Sequence, residues 1–385
     1  MQPVDEIRVK PSHLAYYLYV AVLVISGSLQ DTLLPGFADS LLQDLLVLAA
    51  FGLAGLYLFF RIHTRSALLF FGLAAAIGCC AYLCGGRTAL LLTLLAVVMG
   101  DGANRETLLK LVFWLKLSIF LLTVAASLAG LLPGAQILTE GVAVAGKGQT
   151  LGYTHSNTFA ATVGMLMLLY AAIHRHRMNL LRLLILLVIE ALTFLLTRSR
   201  TGLIVMVLFT VGVLVLRVHG AKKLFSRLSG WILPALLILN FAMVIWGMLR
   251  PTDLLYQLDN SLFNGRMVLA GVYLNVYPLT LFGSHLDESL VAQVVYYYAL
   301  DNGFTILLLH YGILGFAGFV IAWQLIVRDL RKRQEVLLLL ISLCFCFWMI
   351  YEGIVLTVPG NFIFLMLWKE TNPSSKERNI RLVLE

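Results

Sequence analysis

The stretch LLRLLILLVIEALTFLLTRSRTG, residues 180–202, decides the fold class of this chain. Its run from 180 to 197 is almost wholly apolar, with Arg182 and Glu190 as the charged exceptions. A helix needs about 20 apolar residues to cross about 30 Å of hydrocarbon. The run therefore predicts a transmembrane helix, and this helix ends at the two arginines Arg198 and Arg200.

Similar apolar runs fill the chain on both sides of this stretch. The whole chain is 60% hydrophobic and only 12% charged, whereas soluble chains carry about 25% charged residues. We predict an all-α integral membrane protein, with residues 1–385 as one polytopic domain and no cleaved signal peptide. The twelve predicted spans are 14–30, 39–60, 66–84, 88–100, 108–130, 156–173, 180–197, 201–216, 230–249, 303–327, 335–351 and 354–368. The fourth and twelfth are short enough for half-spans, and the fourth could be re-entrant.

The distribution of basic residues predicts the orientation, because cytoplasmic loops retain Lys and Arg. With the N-terminus inside, 21 of the 28 basic residues lie in cytoplasmic segments, and Lys116 lies within a span. We therefore expect both termini in the cytoplasm. The net charge of +8 follows from this topology and does not indicate a nucleic-acid partner. The six basic residues on the outer face are Arg87, Lys147, Arg198, Arg200, Arg250 and Arg266.

Two outer loops are long, residues 131–155 and 250–302, and loops of this length are usually functional or disordered. The larger loop has a stretch, 266–277, that can form a helix with one apolar face. Its tyrosines Tyr296, Tyr297 and Tyr298 suit either an interfacial belt or stacking on sugar rings, and the sequence does not separate the two.

Few ionisable residues lie deep in the predicted spans. They are Lys116, Glu190 and His310, and for the first two we favour structural pairing or snorkelling over an ion pathway. No inverted repeat is visible, which argues against a secondary transporter. The five cysteines all lie in apolar runs and are interpreted as small buried hydrophobic residues, with no disulfide or metal role.

Four polar motifs lie on the predicted outer face: Gly152–Asn157, Thr197–Gly202, Asn264–Arg266 and Asp301–Gly303. Arginine presents a fork of donors that matches phosphate oxygens. In a continuous helix Arg198 and Arg200 would point about 200° apart. Both can hold one anion only if the backbone breaks, which Gly202 with its Ser and Thr neighbours would permit. Arg266 could complete the clamp; the alternative is that the arginines snorkel to lipid headgroups.

A lipid-linked diphosphate would suit these cations and would also be a leaving group, if the reaction has a base for the attacking hydroxyl. The candidate bases are Asp301, His155, His285 and the pair Asp287 and Glu288. Three of these have plainer interpretations. Asp301 would be a helix N-cap, as would His155 together with Asn157, and His285 would be a turn residue. No Asp-x-Asp occurs, so we expect no metal and no other cofactor, with Asp287 and Glu288 as the one residual metal candidate.

Between about 150 and 320 a series of short motifs follows in order: a Gly and His element entering a span, a Thr-x-Ser-Arg helix end, an Arg opening a large loop, a Pro-Leu-x-x-Phe-Gly turn, and Asp-Asn before an apolar helix. These are Gly152, His155, Ser156 and Asn157; Thr197, Ser199, Arg200, Thr201 and Gly202; Arg266; Pro278, Leu279, Phe282 and Gly283; and Asp301, Asn302, Tyr311, Gly312, Ile313, Leu314 and Gly315. In order and spacing they resemble the O-antigen ligase and polysaccharide polymerase superfamily of Wzy and WaaL type membrane glycosyltransferases.

The resemblance implies a GT-C-like fold and inverting glycosyl transfer from a polyprenyl-diphosphate-linked oligosaccharide to a growing polysaccharide chain. Arg200, Arg266 and Asp301 would be catalytic, with Asp301 as the base and the arginines on the diphosphate. The substrate-binding residues would be Arg198, His155, Asn157, Asn302 and His285. The resemblance also implies the cell membrane of a bacterium as the location, and membrane lipids, a flippase and a chain-length regulator as further partners.

One departure bears on the choice within the superfamily. Ligases carry His where this chain has Asp301, and Asp is similar to what capsular and exopolysaccharide polymerases show, particularly those of Gram-positive bacteria. We therefore expect a polymerase. The alternatives are a ligase, a lipid-linked oligosaccharide transporter, or a scaffold of an envelope complex.

Overall fold

The computed structural model describes residues 10–34, 36–37, 40–61, 65–132, 148–249, 253–263, 265–292 and 299–367. The predictions for Lys147, Arg250, Asn264 and Tyr296 to Tyr298 lie outside these residues. Within them the secondary structure is helical, with a single isolated bridge between Thr32 and Tyr153. In chain order the helices are α1 Pro11–Gln30, α2 Leu41–Phe60, α3 Arg65–Gly85, α4 Ala89–Met99, α5 Arg105–Leu128, α6 Ser156–Ile173, α7 Leu180–Thr197, α8 Arg200–Val215, α9 Ala221–Leu249, α10 Asp253–Leu262, α11 Arg266–Val276, α12 Glu288–Ala292, α13 Gly303–His310, α14 Gly312–Lys332 and α15 Val336–Trp348.

Eight helices of the described chain are long and apolar enough to cross a membrane: α1, α2, α3, α5, α6, α7, α9 and α14. The chain is thus a multi-pass, all-α membrane protein. Three further predicted spans are the shorter apolar helices α4, α8 and α15, of 11, 16 and 13 residues. The predicted helix 266–277 is confirmed as α11.

The predicted span 354–368 is not an α-helix. Two 3-10 turns, Gly353–Leu356 and Phe362–Met366, occupy it. The reason lies between the turns, where Pro359 lacks an amide donor and Gly360 packs against the carbonyl of Ile354. This compact segment is buried: Val355, Val358 and Phe362 are all fully enclosed.

The predicted span 303–327 is broken at Tyr311. Gly312 has φ +74, a left-handed conformation that ends α13 before α14 begins. A loop segment, residues 280–284, fills the break: Ser284 N donates to the Leu309 carbonyl at 2.9 Å, and Ile313 N to the Thr280 carbonyl at 3.0 Å. Hydropathy is continuous across the break, so an apolar pattern alone does not reveal it.

Helix α6 lies at the centre of the core, with α5, α7, α8 and α15 around it. Most of its residues are buried, and Gly164 leaves room for the indole of Trp348. By contrast α2, α3 and α7 leave many leucines exposed, as helices that face hydrocarbon do. Cys344 and Cys346 are buried as predicted, whereas Cys79 and Cys84 on α3 are exposed, so that part of the cysteine prediction is wrong.

Candidate functional site

Three side chains from distant parts of the sequence meet at one end of the helix bundle. The Nη2 of Arg266 lies 3.0 Å from Oδ2 of Asp301 and 2.9 Å from Oε1 of Glu352. The side chains are 5%, 24% and 13% exposed, respectively. One guanidinium nitrogen thus contacts two carboxylates in a largely enclosed place, where such charge-assisted contacts are strong. We call these three residues the Arg266 cluster.

Arg266 is the first residue of α11, and the start of this helix is firmly fixed. The buried carboxylate of Asp259 accepts hydrogen bonds from the amides of Met267 at 3.1 Å and Val268 at 2.8 Å. Burial raises the pKa of Asp259, although these two hydrogen bonds and the charge of Arg266 lower it. The rest of α11 packs closely on α9 at Gly271, where a Cβ would lie 2.9 Å from the Val244 carbonyl. Arg266 is therefore held by a capped and packed helix end.

Asp301 and Glu352 are brought together by the capping of α13. The side-chain oxygen of Asn302 accepts from Thr305 N at 2.9 Å, and its amide donates to Asn240 at 2.7 Å and to the Ile350 carbonyl at 3.1 Å. The Gly303 amide donates to the Met349 carbonyl at 2.7 Å. The start of α13 and the segment after α15 therefore form one unit that carries both carboxylates.

This geometry changes two predicted roles. Asn302 is fully buried and both ends of its side chain are engaged by the protein, so its predicted role in binding substrate is wrong. The N-cap of α13 is Asn302 and not Asp301, so the capping interpretation of Asp301 is also wrong. The Asp301 carboxylate is left to contact Arg266.

His155 lies next to the Arg266 cluster. It is the N-cap of α6, and its Nδ1 accepts from Asn157 N at 3.1 Å, which places the proton of the neutral ring on Nε2. Burial lowers the pKa of His155, Asp301 raises it and Arg266 lowers it further. The interpretation of His155 as a helix N-cap is confirmed. Its ring also interacts electrostatically with Asp301 and Arg266 of the cluster. Asn157 contributes its backbone amide to this cap.

The residues before His155 are fixed to the end of α1. Leu33 N donates to the Gly152 carbonyl at 2.8 Å, and Thr154 N to the Asp31 carbonyl at 3.0 Å. Lys116 contacts the same end of α1. Its Nζ lies 3.4 Å from Ser28 Oγ, and it interacts electrostatically with Asp31. The interpretation of Lys116 as a structurally paired residue is thus confirmed.

Arg198 and Arg200 stand where α7 ends and α8 begins. Arg198 has φ +56 and ψ +16, and the amide of Ser199 donates to Thr197 Oγ1 at 3.2 Å. The backbone break that a shared anion would require exists, but Gly202 does not make it, because Gly202 lies inside α8. Both arginines are exposed, and no carboxylate of the described chain lies within ion-pairing distance of either.

The start of α8 lies beside the start of α6. A Cβ on Gly202 would be 3.7 Å from the Ala160 methyl group, and Gln149 N donates to the Leu196 carbonyl at 2.8 Å. The motif of Arg198 and Arg200 and the motif of His155 are therefore neighbours. Two helix N-termini at this place add partial positive charge to that of the arginines.

Glu190 on α7 is fully buried, and neither of its carboxylate oxygens has a hydrogen-bond partner within the described chain. Its Oε1 would lie 2.8 Å from a Cβ on Gly202. Gly202 is therefore needed for space beside Glu190, and the predicted structural pairing of Glu190 is wrong.

His285 belongs to a different place on the loop. Its Nδ1 would lie 3.6 Å from a Cβ on Gly86, and it interacts electrostatically with Asp287 and His310. No described contact joins it to the Arg266 cluster. Asp287 accepts from Ser289 N at 3.0 Å, while the side chain of Glu288 lies outside the described atoms. Within the described chain no three His, Cys, Asp or Glu residues are grouped as metal ligands.

No family model, curated protein or solved structure matches the chain. The functional argument therefore depends on the geometry of the site itself.

Sequence reasoning missed Glu352. It lies between two predicted apolar runs, 335–351 and 354–368, so it escaped a search for charges inside spans. An acidic residue on the predicted outer face between two spans was the available signal. Asp259 was noted only as one of several loop acids, and nothing in the sequence indicated that it caps α11.

The site has a buried guanidinium, two carboxylates and an imidazole in one place, with two exposed arginines at the neighbouring junction of α7 and α8. Guanidinium groups can stabilise negative charge on phosphate oxygens. Carboxylates and imidazole can accept or donate protons. The arrangement suits a reaction in which an anionic group leaves and a hydroxyl group loses a proton.

Proposed function

We propose that this protein is a polysaccharide polymerase that joins polyprenyl-diphosphate-linked repeat units by metal-independent, inverting glycosyl transfer. The observation that supports this most is the Arg266 cluster, with contacts of 3.0 Å to Asp301 and 2.9 Å to Glu352, beside His155. It combines a cation for a departing diphosphate with carboxylates for a proton, and it stands at the end of apolar helices where a lipid-linked substrate would lie.

In the proposed reaction a hydroxyl of the acceptor sugar attacks the anomeric carbon of the donor sugar. The new glycosidic C–O bond forms as the bond from that carbon to the diphosphate oxygen breaks, and polyprenyl diphosphate leaves with the electron pair. Asp301, the more exposed carboxylate of the cluster, accepts the hydroxyl proton. Arg266, with Arg198 and Arg200, neutralises the charge that develops on the diphosphate.

The proposed setting is the cell membrane of a bacterium, with both termini in the cytoplasm and the site on the outer face. The excess of basic residues in the opposite loops supports this orientation. A GT-C-like architecture, a flippase and a chain-length regulator belong to the same proposal.

The test is reconstitution of the purified chain in vesicles with a synthetic lipid-linked repeat unit, scoring glycan length on a gel. Elongation that persists in EDTA is the expected result, and Arg266→Ala should abolish it while the protein stays in the membrane. Transfer to a different lipid acceptor without elongation would indicate a ligase. Movement of the lipid across the vesicle membrane with no lengthening would show that the polymerase proposal is wrong.

A further inference from the structure

The charges of the Arg266 cluster do not suit an anionic ligand if both acids are ionised. One guanidinium and two carboxylates then sum to a charge of −1, and they share a single nitrogen at 3.0 and 2.9 Å. A diphosphate that approaches Arg266 would meet two like charges at short range in an enclosed place, where such repulsion is poorly screened. Neutralising one carboxylate would remove this obstacle without breaking the contact to Arg266.

Burial indicates which carboxylate becomes neutral. The Glu352 side chain is 13% exposed and that of Asp301 is 24% exposed. Glu352 is covered by the start of α13, where a Cβ on Gly303 would lie 3.0 Å from the Glu352 carbonyl. Removing a carboxylate from water disfavours its charged form. Burial raises the pKa of Glu352 to about 7, Arg266 opposes the rise and Asp301 adds to it.

The charged groups around Glu352 come from several elements. Arg266 at the start of α11 contacts it directly, and Asp301 before α13 acts on it across the shared nitrogen. His155 at the start of α6 and Asp259 of α10 interact with Arg266 rather than with Glu352. An added anion at Arg266 would compete for the positive charge that now favours ionised Glu352.

We propose that Glu352 is a positioning residue that takes up one proton when the diphosphate of the donor binds Arg266, and returns it when polyprenyl diphosphate leaves. The inference rests on the proposed function, because it takes a diphosphate as the ligand of Arg266. The proton comes from solvent and converts the carboxylate to a carboxylic acid. Glu352 thus keeps its contact with Arg266 in both states, while Asp301 remains the group that receives the proton of the acceptor.

The alternative is that Glu352 stays ionised and supports Arg266 both before and after the ligand binds. In that case ligand binding would leave the number of bound protons unchanged. The two interpretations therefore differ in a quantity that calorimetry measures directly, independent of elongation activity.

The experiment is isothermal titration of the full chain in nanodiscs with geranylgeranyl diphosphate at pH 7.5, in Tris and in HEPES. The difference in heat between buffers gives the protons exchanged per bound ligand. For the wild-type chain we expect an uptake of about 0.5 to 1 proton, as linkage requires for a group with a pKa near 7 that becomes neutral. Glu352→Gln, which resembles the protonated acid, should bind with no uptake, whereas Asp301→Asn should retain it.

A second measurement needs no variant. Wild-type affinity for the same probe should weaken about fivefold between pH 7 and pH 8, as the carboxylate ionises. Binding with no proton uptake and no such pH dependence would overturn the role of Glu352 and leave the proposed function standing, as would equal uptake in Glu352→Gln. No binding of the probe at pH 6.5, where Glu352 is protonated, would overturn both proposals.

Discussion

Arg266, which opens α11 within the large loop, and Asp301, near the end of that loop, form an ion pair of 3.0 Å. The chain between the two residues contributes α11, α12 and the loop segment that fills the break before α14. The described parts of the loop thus belong to the site, because this ion pair joins them to the start of α13.

Arg266→Lys should reduce elongation about 100-fold, the usual cost of removing one preorganised donor of charge stabilisation. Lysine keeps the charge, but its single ammonium cannot reproduce the planar fork that contacts two carboxylates. The measurement is the initial rate of chain lengthening in vesicles. Arg217→Lys is the matched control, because Arg217 lies at the other end of the bundle and, within the described chain, donates its hydrogen bond to the Met178 carbonyl. A rate within twofold of wild type for Arg266→Lys would remove Arg266 from the proposed reaction.

Arg198→Gly should distinguish the effect of backbone strain on stability from the effect of the guanidinium charge on activity. Glycine accepts φ +56 without the cost of about 1 kcal/mol that a side chain carries there, so the melting temperature should rise. Elongation should nevertheless fall at least tenfold, by about the same factor as in Arg198→Ala, because the guanidinium is lost. Gln334→Gly is the control, since Gln334 has φ +59 away from the site. It should raise stability with no loss of rate; an active Arg198→Gly would show that Arg198 does not serve the diphosphate.

Gly312→Ala should destabilise the protein by more than about 3 kcal/mol. The φ of +74 is unfavourable for alanine, and its Cβ would enter the backbone of Leu281 and Gly283 in the loop segment that fills the helix break. Gly220→Ala has nearly the same φ, +79, with nothing within 4 Å, so it should cost only the strain of about 1 kcal/mol. Thermal unfolding of the two variants in detergent measures the difference. Equal losses would mean that the loop segment and the break are not packed together.

Asn302→Asp should destabilise the protein by about 3 kcal/mol. Aspartate can still cap α13, but it loses both donated hydrogen bonds and places its charge against the oxygens of Asn240 and Ile350. Asn104→Asp is the control. Asn104 caps α5 from an exposed position, and its side-chain amide donates no hydrogen bond to Asn240 or Ile350. That change should alter stability by less than about 0.5 kcal/mol. If Asn302→Asp were stable but inactive, the original prediction of a substrate-binding role would regain support.

The lowered pKa of His155 predicts a pH effect on stability. A histidine whose pKa falls on folding contributes stability that is present above its ordinary pKa of 6.5 and is lost as the pH falls below it. Between pH 7 and pH 5 the wild-type melting temperature should therefore drop further than that of His155→Asn, which keeps a capping oxygen and does not titrate. His176→Asn, beyond the opposite end of α6 from His155, should follow the wild type. Parallel curves for wild type and His155→Asn would contradict the lowered pKa of His155 in the folded protein.

The sequence alone determined the membrane character, the place of most long helices and the motifs that hold His155, Arg266 and Asp301. These depend on local properties: apolar runs of sufficient length and polar residues at their ends. Sequence reasoning also identified a backbone break at Arg198 and Arg200 as the condition for both to hold one anion, although it named Gly202 as the residue that would permit the break.

Only the tertiary structure decided which side chains meet. Glu352 contacts Arg266 because α13 begins against the segment after α15, and Asn302 became a buried cap through the same contact. The break before α14 and the absence of an α-helix at 354–368 likewise depend on packing, at Gly312 and around Pro359. Hydropathy reports whether a segment prefers lipid, but it carries no information on which distant residues fill the space beside it.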